Sequence, residues 1–509
     1  MKIKQNWIQT WLLAVALLLP AVVQAQFTFT TNADNTLTLT GYTDTNSVVV
    51  IPDATNGLSV SSIGDYAFYI CTNLTGVTIP DSITSVGYNA FAGCYSLTNI
   101  TIGGGVASIG SQAFSGCTNL TNIIIPNSVT SIGGDAFYAC HSVTNVMIGS
   151  GVTNIGNEAF FACTSLLAVT VNTNNPAYSS LNGALFNKSQ TALVLYPGGK
   201  TGTYTIPNNV ASIGNEAFSL CTSLTNVTIG NGVASIGNEA FNLCTSLSSV
   251  TIPNSVTNIG FNAFADCYSL AGVTIGGGCN SIGLGAFSFC TNLTKVTIGN
   301  GVNTIGEEAF FRCTTLTNIS IGNGVTNIGE EAFGFCTSLI SITIPNNVTS
   351  IEDNAFLDCT SLTSITIGIG VTSIGSYAFQ DCNSLKSVYF KGNAPNVYLN
   401  AITMPVYFYY MPGTVGWGST FSGRPAVLWN PHAQKDASFG VRTNRFGFNI
   451  TGSSNLVIVV EACANLMSPV WSPLSTNTLN TFVGTNDTSY FSDPQWTNYP
   501  GRFYRLRSP

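Results

Sequence analysis

Charged side chains are scarce in this sequence. Asp, Glu, Lys and Arg make up 7% of its 509 residues, compared with about 25% in ordinary globular proteins. Residues 26–385 carry 18 acids and 4 bases, whereas residues 386–509 carry 4 acids and 9 bases. Because nucleic-acid binding requires a basic face, the acidic body of the chain argues against a nucleic-acid partner.

Histidine is nearly absent, and this restricts catalysis and metal binding. His141 and His432 are isolated, and no Cys-x-x-Cys pair occurs. A zinc site needs several nitrogen or sulfur ligands, so the sequence argues against zinc. No His accompanies a Ser or Asp in an arrangement suited to nucleophilic or acid–base chemistry. The sequence therefore indicates a protein that is not an enzyme and uses no cofactor.

Long apolar runs are also missing after the first 25 residues. Lys2 and Lys4 precede one apolar run at residues 11–23, and the small residue Ala25 marks a cleavage point before Gln26. This pattern predicts a cleaved secretory signal peptide over residues 1–25, with an uncleaved anchor as the alternative. No second stretch of about 18 apolar residues follows, so no transmembrane span is predicted.

What the sequence has in abundance is a 23-residue unit that recurs along most of its length. Such a constant step means one structural turn per repeat. Each unit contains an Ala-Phe pair, a Cys three residues after the Phe, and a Leu (once Val143) six residues after it. One step, from Phe160 to Phe218, is 58 residues long. The Phe residues are Phe68, Phe91, Phe114, Phe137, Phe160, Phe218, Phe241, Phe264, Phe287, Phe310, Phe333, Phe356 and Phe379.

The apolar pattern inside a unit predicts its local structure. Leu224, Val227 and Ile229 alternate as in a short strand, which Gly230 ends. Residues 240–247 have apolar spacings of three and four, which predict one short helical or 3-10 turn. A single unit cannot bury these side chains, whereas stacked units would pair their strands in parallel about 4.8 Å apart and place Phe rings over Phe rings.

The pattern Leu-x-x-Val-x-Ile-Pro/Gly-x-x-Val-x-x-Ile-Gly-x-x-Ala-Phe-x-x-Cys resembles the BspA-like class of bacterial leucine-rich repeats over residues 58–390. The resemblance implies a leucine-rich repeat solenoid of mostly short parallel β-strands with short helical or 3-10 turns on its convex side. It also implies a secreted or bacterial cell-surface protein used for adhesion and protein recognition. Since a fold does not fix a function, this second implication is an analogy.

The remaining segments predict caps, an insert and a second domain. The long step predicts a β-hairpin insert at about 171–205, in which Phe186 replaces a repeat Phe; Tyr178, Tyr196 and Lys200 lie there together as an alternative contact patch. Arg502, Arg505 and Arg507 are candidates for contact with an anionic surface polymer. The expected domains are the signal peptide (1–25), an N-terminal β cap (26–60), the solenoid (61–390), a C-terminal cap (391–429), a linker (430–438) and a small all-β module (439–509) with strands at Phe446–Ile450, Leu456–Glu461, Asn480–Val483 and Arg502–Leu506.

Fifteen cysteines in a secreted chain would ordinarily suggest disulfides. Thirteen of them occupy the repeat position three residues after the Phe. Stacked units would bring neighbouring Cα atoms within disulfide range, but equivalent side chains point the same way rather than at each other. We therefore expect a ladder of buried thiols instead of a chain of disulfides. Cys279 and Cys463 lie outside this column and are predicted as the more reactive thiols.

The outward positions of the repeat strands form the expected concave face of the solenoid, which is the usual recognition surface of this architecture. They carry a column of Thr beside a column of Asn and Ser. Because exposed strand positions favour Thr and neighbouring Thr residues pair across strands, a purely structural role is the alternative to ligand binding. The candidate ligand-binding residues are Asn226, Thr228, Thr251, Thr274, Lys295, Thr297, Asn318 and Ser320, within a ladder that continues through Ser364 and Thr366.

One acidic cluster stands apart from the rest of the surface. Glu307, Glu330 and Asp353 share a column in successive units, and Glu308 and Glu331 form the next column. Stacked carboxylates repel one another unless solvated or bridged by a cation such as calcium. Acids ahead of Ala-Phe would equally complement the N terminus of a short helix. The sequence favours this dipole interpretation over a calcium site.

These patterns predict a secreted or cell-surface protein that binds an extracellular protein or glycan through its solenoid without catalysis. The competing hypothesis is a structural spacer or anchor component that has no specific ligand. The sequence leaves the identity of the ligand and the oligomeric state open.

Overall fold

The computed structural model describes residues 27–452, 457–479, 487–499 and 501–507. The predicted signal peptide at 1–25 and the predicted strand at 480–483 lie outside these residues. Contacts divide the chain into two compact units, Met1–Thr201 with Glu216–Ser223, and Gly202–Asn215 with Leu224–Pro509. Within the residues described, the single helix is the 3-10 turn Trp496–Asn498, and no helix is long and apolar enough to span a membrane.

The first unit is built from very short strands. They are β1 (Phe27–Thr31), β2 (Leu37–Tyr42), β3 (Val48–Val50), β4 (Ala54–Thr55), β5 (Leu58–Ile63), β6 (Gly76–Thr78), β7 (Ser85–Val86), β8 (Asn99–Thr101), β9 (Ser108–Ile109), β10 (Asn122–Ile125), β11 (Ser131–Ile132), β12 (Asn145–Ile148), β13 (Asn154–Ile155), β14 (Ala168–Val171), β15 (Tyr178–Leu181), β16 (Ala184–Asn187) and β17 (Ala192–Leu195).

The second unit continues the same pattern and then departs from it. Its strands are β18 (Gly202–Thr205), β19 (Ser212–Ile213), β20 (Leu224–Thr228), β21 (Ser235–Ile236), β22 (Ser249–Ile252), β23 (Asn258–Ile259), β24 (Gly272–Ile275), β25 (Ser281–Ile282), β26 (Lys295–Ile298), β27 (Thr304–Ile305), β28 (Asn318–Ser320), β29 (Asn327–Ile328), β30 (Ser341–Thr343), β31 (Ser350–Ile351), β32 (Ser364–Ile367), β33 (Ser373–Ile374), β34 (Ser387–Phe390), β35 (Asn396–Val397), β36 (Tyr407–Tyr410), β37 (Thr420–Phe421), β38 (Arg424–Leu428), β39 (His432–Ala433), β40 (Gly440–Arg442), β41 (Arg445–Gly452), β42 (Val457–Cys463), β43 (Ser472–Thr478), β44 (Asp487–Asp493) and β45 (Phe503–Arg507).

Each 23-residue repeat forms one coil, and neighbouring coils are hydrogen-bonded on three sides. The longer strands pair in parallel, as β22 does with β24. The two-residue strands pair in parallel on a second side, as β23 does with β25. On the third side the turn contributes, because the backbone N–H of Phe264 donates to Ala286 O at 2.8 Å. Identical backbone paths therefore satisfy each other's polar groups from coil to coil.

Phenylalanine fills the centre of every coil and stacks on its counterparts. Phe264 is fully buried and lies 4.8 Å from Phe241 and 5.1 Å from Phe287, centroid to centroid, with the rings nearly parallel. The first unit has an equivalent column of its own, where Phe68 and Phe91 lie 4.6 Å apart. The predicted inward stacking of the Phe residues and the predicted solenoid fold are confirmed.

The turn that carries the Phe has a 3-10 hydrogen-bond pattern but does not become a helix. Asn242 N–H donates to Glu239 O and Cys244 N–H to Phe241 O. Glu239 and Leu243 have φ values of 52° and 57°, and such left-handed residues interrupt a right-handed helix. No helix N terminus therefore exists for the acids that precede Ala-Phe, and the dipole interpretation is wrong. The corresponding acids of other coils have the same left-handed backbone: Glu158, Glu216, Glu308 and Glu331.

The N-terminal strands close the first open coil. β1 and β2 pair antiparallel. The Tyr42 ring stacks on Phe68 at 5.2 Å, and Phe27 contacts the same ring at 6.4 Å. The aromatic column of the first unit thus ends on side chains that do not belong to the repeat.

The long step between Phe160 and Phe218 contains an antiparallel meander. β15 pairs with β16, and β16 pairs with β17. Tyr196 N–H donates to Ala217 O at 2.7 Å, and the Tyr196 ring stacks on Phe218 at 4.9 Å. Tyr196, rather than the predicted Phe186, therefore takes the repeat Phe position in this coil.

The chain after β38 forms a separate β module within the second unit. One sheet contains β39, β41, β40 and β44, and another contains β43, β42 and β45. Buried Phe448, Ile450, Ile458, Val460 and Phe491 lie between the strands of the two sheets. The predicted linker at 430–438 contains β39, which pairs with β41, so this segment belongs to the module.

Candidate functional site

The outward-facing side chains of the longer strands form one exposed surface, here called the strand face (positions Asn226 to Thr343 on β20, β22, β24, β26, β28 and β30). Val227 and Ile229 point into the core, whereas Asn226 and Thr228 are exposed. This alternation follows from the two-residue period of a strand. All eight candidate ligand-binding residues lie on this face, and of these only Thr297 is half-buried while the others are exposed.

Parallel pairing places equivalent residues directly beside each other. On β22, β24, β26 and β28 one column reads Ser249, Gly272, Lys295 and Asn318, and the next reads Thr251, Thr274, Thr297 and Ser320. Lys295 is the single charged residue among the outward positions described on β20 to β30. The face is therefore a regular array of hydroxyl and amide groups that has one positive charge.

Threonines elsewhere in the coils have a structural role that separates them from the strand face. Thr294 Oγ1 donates to Ala271 O at 3.0 Å, and Thr257 Oγ1 donates to Ala234 O at 3.0 Å. The same bond to the preceding coil recurs in both of these columns, at Thr121, Thr144, Thr317, Thr326 and Thr349. In contrast, the hydroxyls of Thr228, Thr251 and Thr274 have no hydrogen-bond partner within the residues described. Their hydroxyls are available for a ligand.

The strand face ends where the C-terminal module covers it. Ser364, Thr366 and Ser387 continue the outward columns but are buried. The outward column then changes to Tyr389 and Tyr409, whose rings stack at 5.0 Å and belong to the same apolar cluster as the core of the module. Ser364 and Thr366, which the sequence predicts as exposed ladder positions, are therefore inaccessible. The replacement of Thr by Tyr at outward positions was the available sequence signal for this contact.

The acidic columns line a groove on another side of the coils. Glu307, Glu330 and Asp353 all contribute to it. Asp353 Oδ1 accepts a hydrogen bond from Ser376 N–H at 2.6 Å, as Asn215 and Asn238 do from the next coil in the same column. No group of three His, Cys, Asp or Glu side chains that could hold a metal ion occurs among the residues described.

The adjacent acidic column shows the cost of stacking carboxylates. Burial raises the pKa of Glu331, and the nearby carboxylates of Glu308 and Glu330 raise it further. Protonation of this side chain is therefore favoured relative to an isolated glutamate. The fold therefore tolerates this column of like charges, which follows from the sequence repeat and lies at the protein surface.

The cysteines form a buried ladder of thiols. All fifteen are free, and most repeat thiols donate to the backbone carbonyl of the Phe in the preceding coil, as Cys336 does to Phe310 O at 3.3 Å, whereas Cys221 donates to Tyr196 O at 3.8 Å. Cys279 and Cys463, predicted as the reactive thiols, are buried, and burial raises the pKa of Cys279 to about 11. Cys71, in the first coil, is the half-buried one. The prediction for Cys279 and Cys463 is wrong because both side chains are buried.

The contact patch considered for the insert does not form. Tyr196 is 3% exposed because it occupies the Phe column. Tyr178 Oη accepts a hydrogen bond from Ile155 N–H at 3.2 Å, and Lys200 Nζ donates to Asn182 O. These three side chains stabilise the join between the insert and the coils.

Two solved structures are similar to this chain. A leucine-rich repeat protein from Eubacterium ventriosum is 29% identical, with 66% of this chain and 93% of that chain covered and a TM-score of 0.57. A leucine-rich repeat protein from Bacteroides ovatus is 32% identical, with 72% and 93% covered and a TM-score of 0.55. Comparison with curated proteins gave no match.

The repeat itself matches a family model. Six copies of the BspA type leucine rich repeat region match residues 49–189, 198–317 and 303–403, which together are more than half of the chain. The register of Phe, Cys and strand residues described above is the physical basis of that match. The chain therefore belongs to the BspA-type leucine-rich repeat family.

Proposed function

We propose that this protein is a secreted or cell-surface, non-catalytic recognition and adhesion protein that binds an extracellular protein or glycan through the strand face. The N-terminal sequence pattern supports export. The observation that carries the proposal is the outward Thr column, in which Thr228, Thr251 and Thr274 are exposed and their hydroxyls lack partners within the described residues.

The chemistry of the strand face suits a polar, extended ligand. Its rigid backbone presents hydroxyl and amide groups at the repeat spacing of the coils, so little conformational entropy is lost when they bind. Hydroxyls donate and accept hydrogen bonds, which fits the alternating groups of a glycan or of an extended peptide. The competing function is a spacer, for which the Thr column would only stabilise the sheet.

A fourfold charge substitution tests this proposal. The variant Thr228→Glu/Thr251→Glu/Thr274→Glu/Thr297→Glu places unpaired carboxylates across the face, and we expect its binding to a glycan or secreted-protein array to fall at least about tenfold. The measurement compares the full chain and the variant on the same array.

A matched variant adds the same charge elsewhere. Ala211, Ala234, Asn280 and Asn303 are exposed and share another column of the second unit, so their joint replacement by Glu should change binding less than about twofold. Equal loss in both variants, or binding by neither the native chain nor the variants, would favour the spacer function.

A further inference from the structure

The C-terminal part of the chain has a net positive charge, in contrast to the acidic repeats. Residues 386–509 carry 9 bases and 4 acids. The three arginines nearest the C terminus are already paired with two carboxylates: Arg502 pairs with Asp493 at 3.1 Å, and Arg505 and Arg507 share Glu461, at 2.7 and 2.6 Å. These arginines are held by carboxylates of the module, so its unpaired arginines are the better candidates for an anionic ligand.

Two other arginines lie directly opposite each other at the tip of the hairpin formed by β40 and β41. Arg442 pairs with Arg445 in the strand register, both are exposed, and neither forms an ion pair within the residues described. The turn between them, Thr443-Asn444, has φ values of 44° and 61°, the pattern of a tight two-residue hairpin turn. Like charges directly opposite in a sheet are destabilising, so this pair costs stability that the fold alone does not require.

The two guanidinium groups point away from the core of the module. Phe446, the neighbour of Arg445, stacks on Tyr504 at 4.9 Å on the inner side. Since successive strand residues face opposite sides, Arg445 and its partner Arg442 lie on the outer side. Outer positions continue from Arg445 to Gly447 and Asn449 along β41.

An exposed aromatic ring covers the outer face beside these arginines. Tyr490 is opposite Asn449 in the register and is 47% exposed. Its hydroxyl lies 2.3 Å from where a Cβ on Gly447 would be, so the ring lies across a position that only glycine leaves open. The ring therefore lies over Gly447, one outward position along β41 from Arg445.

The local charge balance remains positive. Asp436 approaches Arg442 and accepts hydrogen bonds from Ser438 N–H at 2.7 Å and Asn449 Nδ2 at 3.2 Å. Lys435 beside it is exposed. Arg442 and Arg445 therefore outnumber the one carboxylate on this surface, and Lys435 adds an exposed base next to that carboxylate in the sequence.

We propose that Arg442, Arg445 and Tyr490 form a binding site for an acidic polysaccharide. Two guanidinium groups on one rigid hairpin bind a carboxylate, sulfate or phosphate group through charge-assisted hydrogen bonds. The Tyr490 ring packs against the apolar face of the adjoining sugar. A bilayer would instead favour a broad apolar surface with many basic residues, and the acidic body of this chain would oppose approach to an anionic membrane.

The test measures binding of the full chain to polygalacturonate, dextran sulfate, neutral dextran and phosphatidylglycerol vesicles at two salt concentrations. We expect the native protein to bind the two acidic polymers and not neutral dextran, with affinity that falls as salt rises. Arg442→Gln/Arg445→Gln should weaken this binding at least about tenfold and flatten the salt dependence. Tyr490→Ala should weaken it about two- to tenfold while leaving the salt dependence unchanged.

A matched variant removes two charges from the solenoid. Lys188 and Lys386 are exposed, and Lys188→Gln/Lys386→Gln should bind as the native chain does. An equal loss in this variant, no binding of the native chain to either acidic polymer, or a preference for the vesicles that depends on Arg442 and Arg445 would each overturn the proposal. Thermal unfolding of every variant verifies that the module remains folded.

Discussion

The coils of the second unit and the C-terminal module provide partners for their buried rings and polar groups in different ways. In the coils, Phe264 packs against its own counterparts on both sides, and backbone N–H groups donate to carbonyl oxygens one coil away, as Phe264 N–H does to Ala286 O. In the module, Glu461 meets Arg505 and Arg507 from β45, and Asp493 meets Arg502, so each contact occurs once. Repetition makes the coils uniform, whereas the module depends on a few specific ion pairs.

The two regions therefore suit different kinds of ligand. A repeated coil offers the same groups at each step, which suits an extended ligand. The module offers singular groups, such as the Arg442–Arg445 pair beside Tyr490. The strand face and the module meet at Tyr389 and Tyr409, so the two surfaces are adjacent parts of one unit.

The largest expected loss of stability results from removing one ring of the Phe column in the coils. Phe264 is fully buried, and Phe264→Ala removes a ring that stacks on two others. We expect a loss of about 3–5 kcal/mol in the free energy of unfolding, measured by urea denaturation, with hydrogen exchange faster in the neighbouring coils. Phe261 lies in the same coil but is 42% exposed, and Phe261→Ala should cost less than about 1 kcal/mol. Similar losses for both would contradict the packing described here.

A smaller loss of stability, confined to the C-terminal module, is expected when the ion pairs of Glu461 are removed. Burial alone would raise the pKa of Glu461, but hydrogen bonds from Arg507 and Arg505 outweigh it and lower the pKa below its usual range. Glu461→Gln should therefore destabilise the module by about 1–2 kcal/mol, discounted because both arginines are partly exposed. Hydrogen exchange should quicken in β42 and β45 and stay unchanged near Phe264.

Low pH should destabilise the module as Glu461→Gln does, because protonation also removes the negative charge of Glu461. Because the folded carboxylate is favoured, its contribution is complete above the unfolded pKa of about 4.3 and is lost as pH falls through the lowered folded pKa. The difference in stability between the native chain and Glu461→Gln should therefore narrow below about pH 4. Asp53→Asn, at an exposed carboxylate of the first unit, is the control; a gap that persists unchanged at low pH argues against the ion pair.

At neutral pH, the smallest effect on the free energy of unfolding is expected from the ionisation of a thiol in the ladder. Burial raises the pKa of Cys336 to about 12, above the ordinary thiol value of about 8.5. Its stabilising contribution is complete below the unfolded pKa and is lost as pH rises towards the folded one, at up to about 1.4 kcal/mol per pH unit. Cys336→Ala should therefore make the alkaline decline of the unfolding free energy shallower by up to about 1.4 kcal/mol per pH unit, measured by denaturation between pH 8 and about pH 11.

A volume control isolates the titration from the packing. Val325 is fully buried, and Val325→Ala removes apolar volume without removing an ionisable group. Its destabilisation should be the same at both ends of the pH range. A Cys336→Ala variant with the native alkaline slope would show that this thiol ionises freely in the folded chain.

The sequence by itself determined the coils of this protein. A fixed 23-residue step makes the neighbour of each side chain its own counterpart, so Phe-on-Phe stacking, the thiol ladder and the exposed Thr column could be predicted without coordinates. The turn around Phe241 was predicted only in part, because left-handed backbone at Glu239 and Leu243 leaves no apolar signature.

Only the tertiary structure decided the contacts that occur once. Tyr196 replaces a Phe through its backbone hydrogen bond to Ala217, 21 residues away, and the spacing of the insert gave no reason to choose it over Phe186. The burial of Ser364 and Thr366, and the placement of Tyr490 over Gly447, follow from pairings between segments that share no repeat. Periodicity predicts a contact only where the chain repeats itself, and elsewhere the fold must bring unlike residues together.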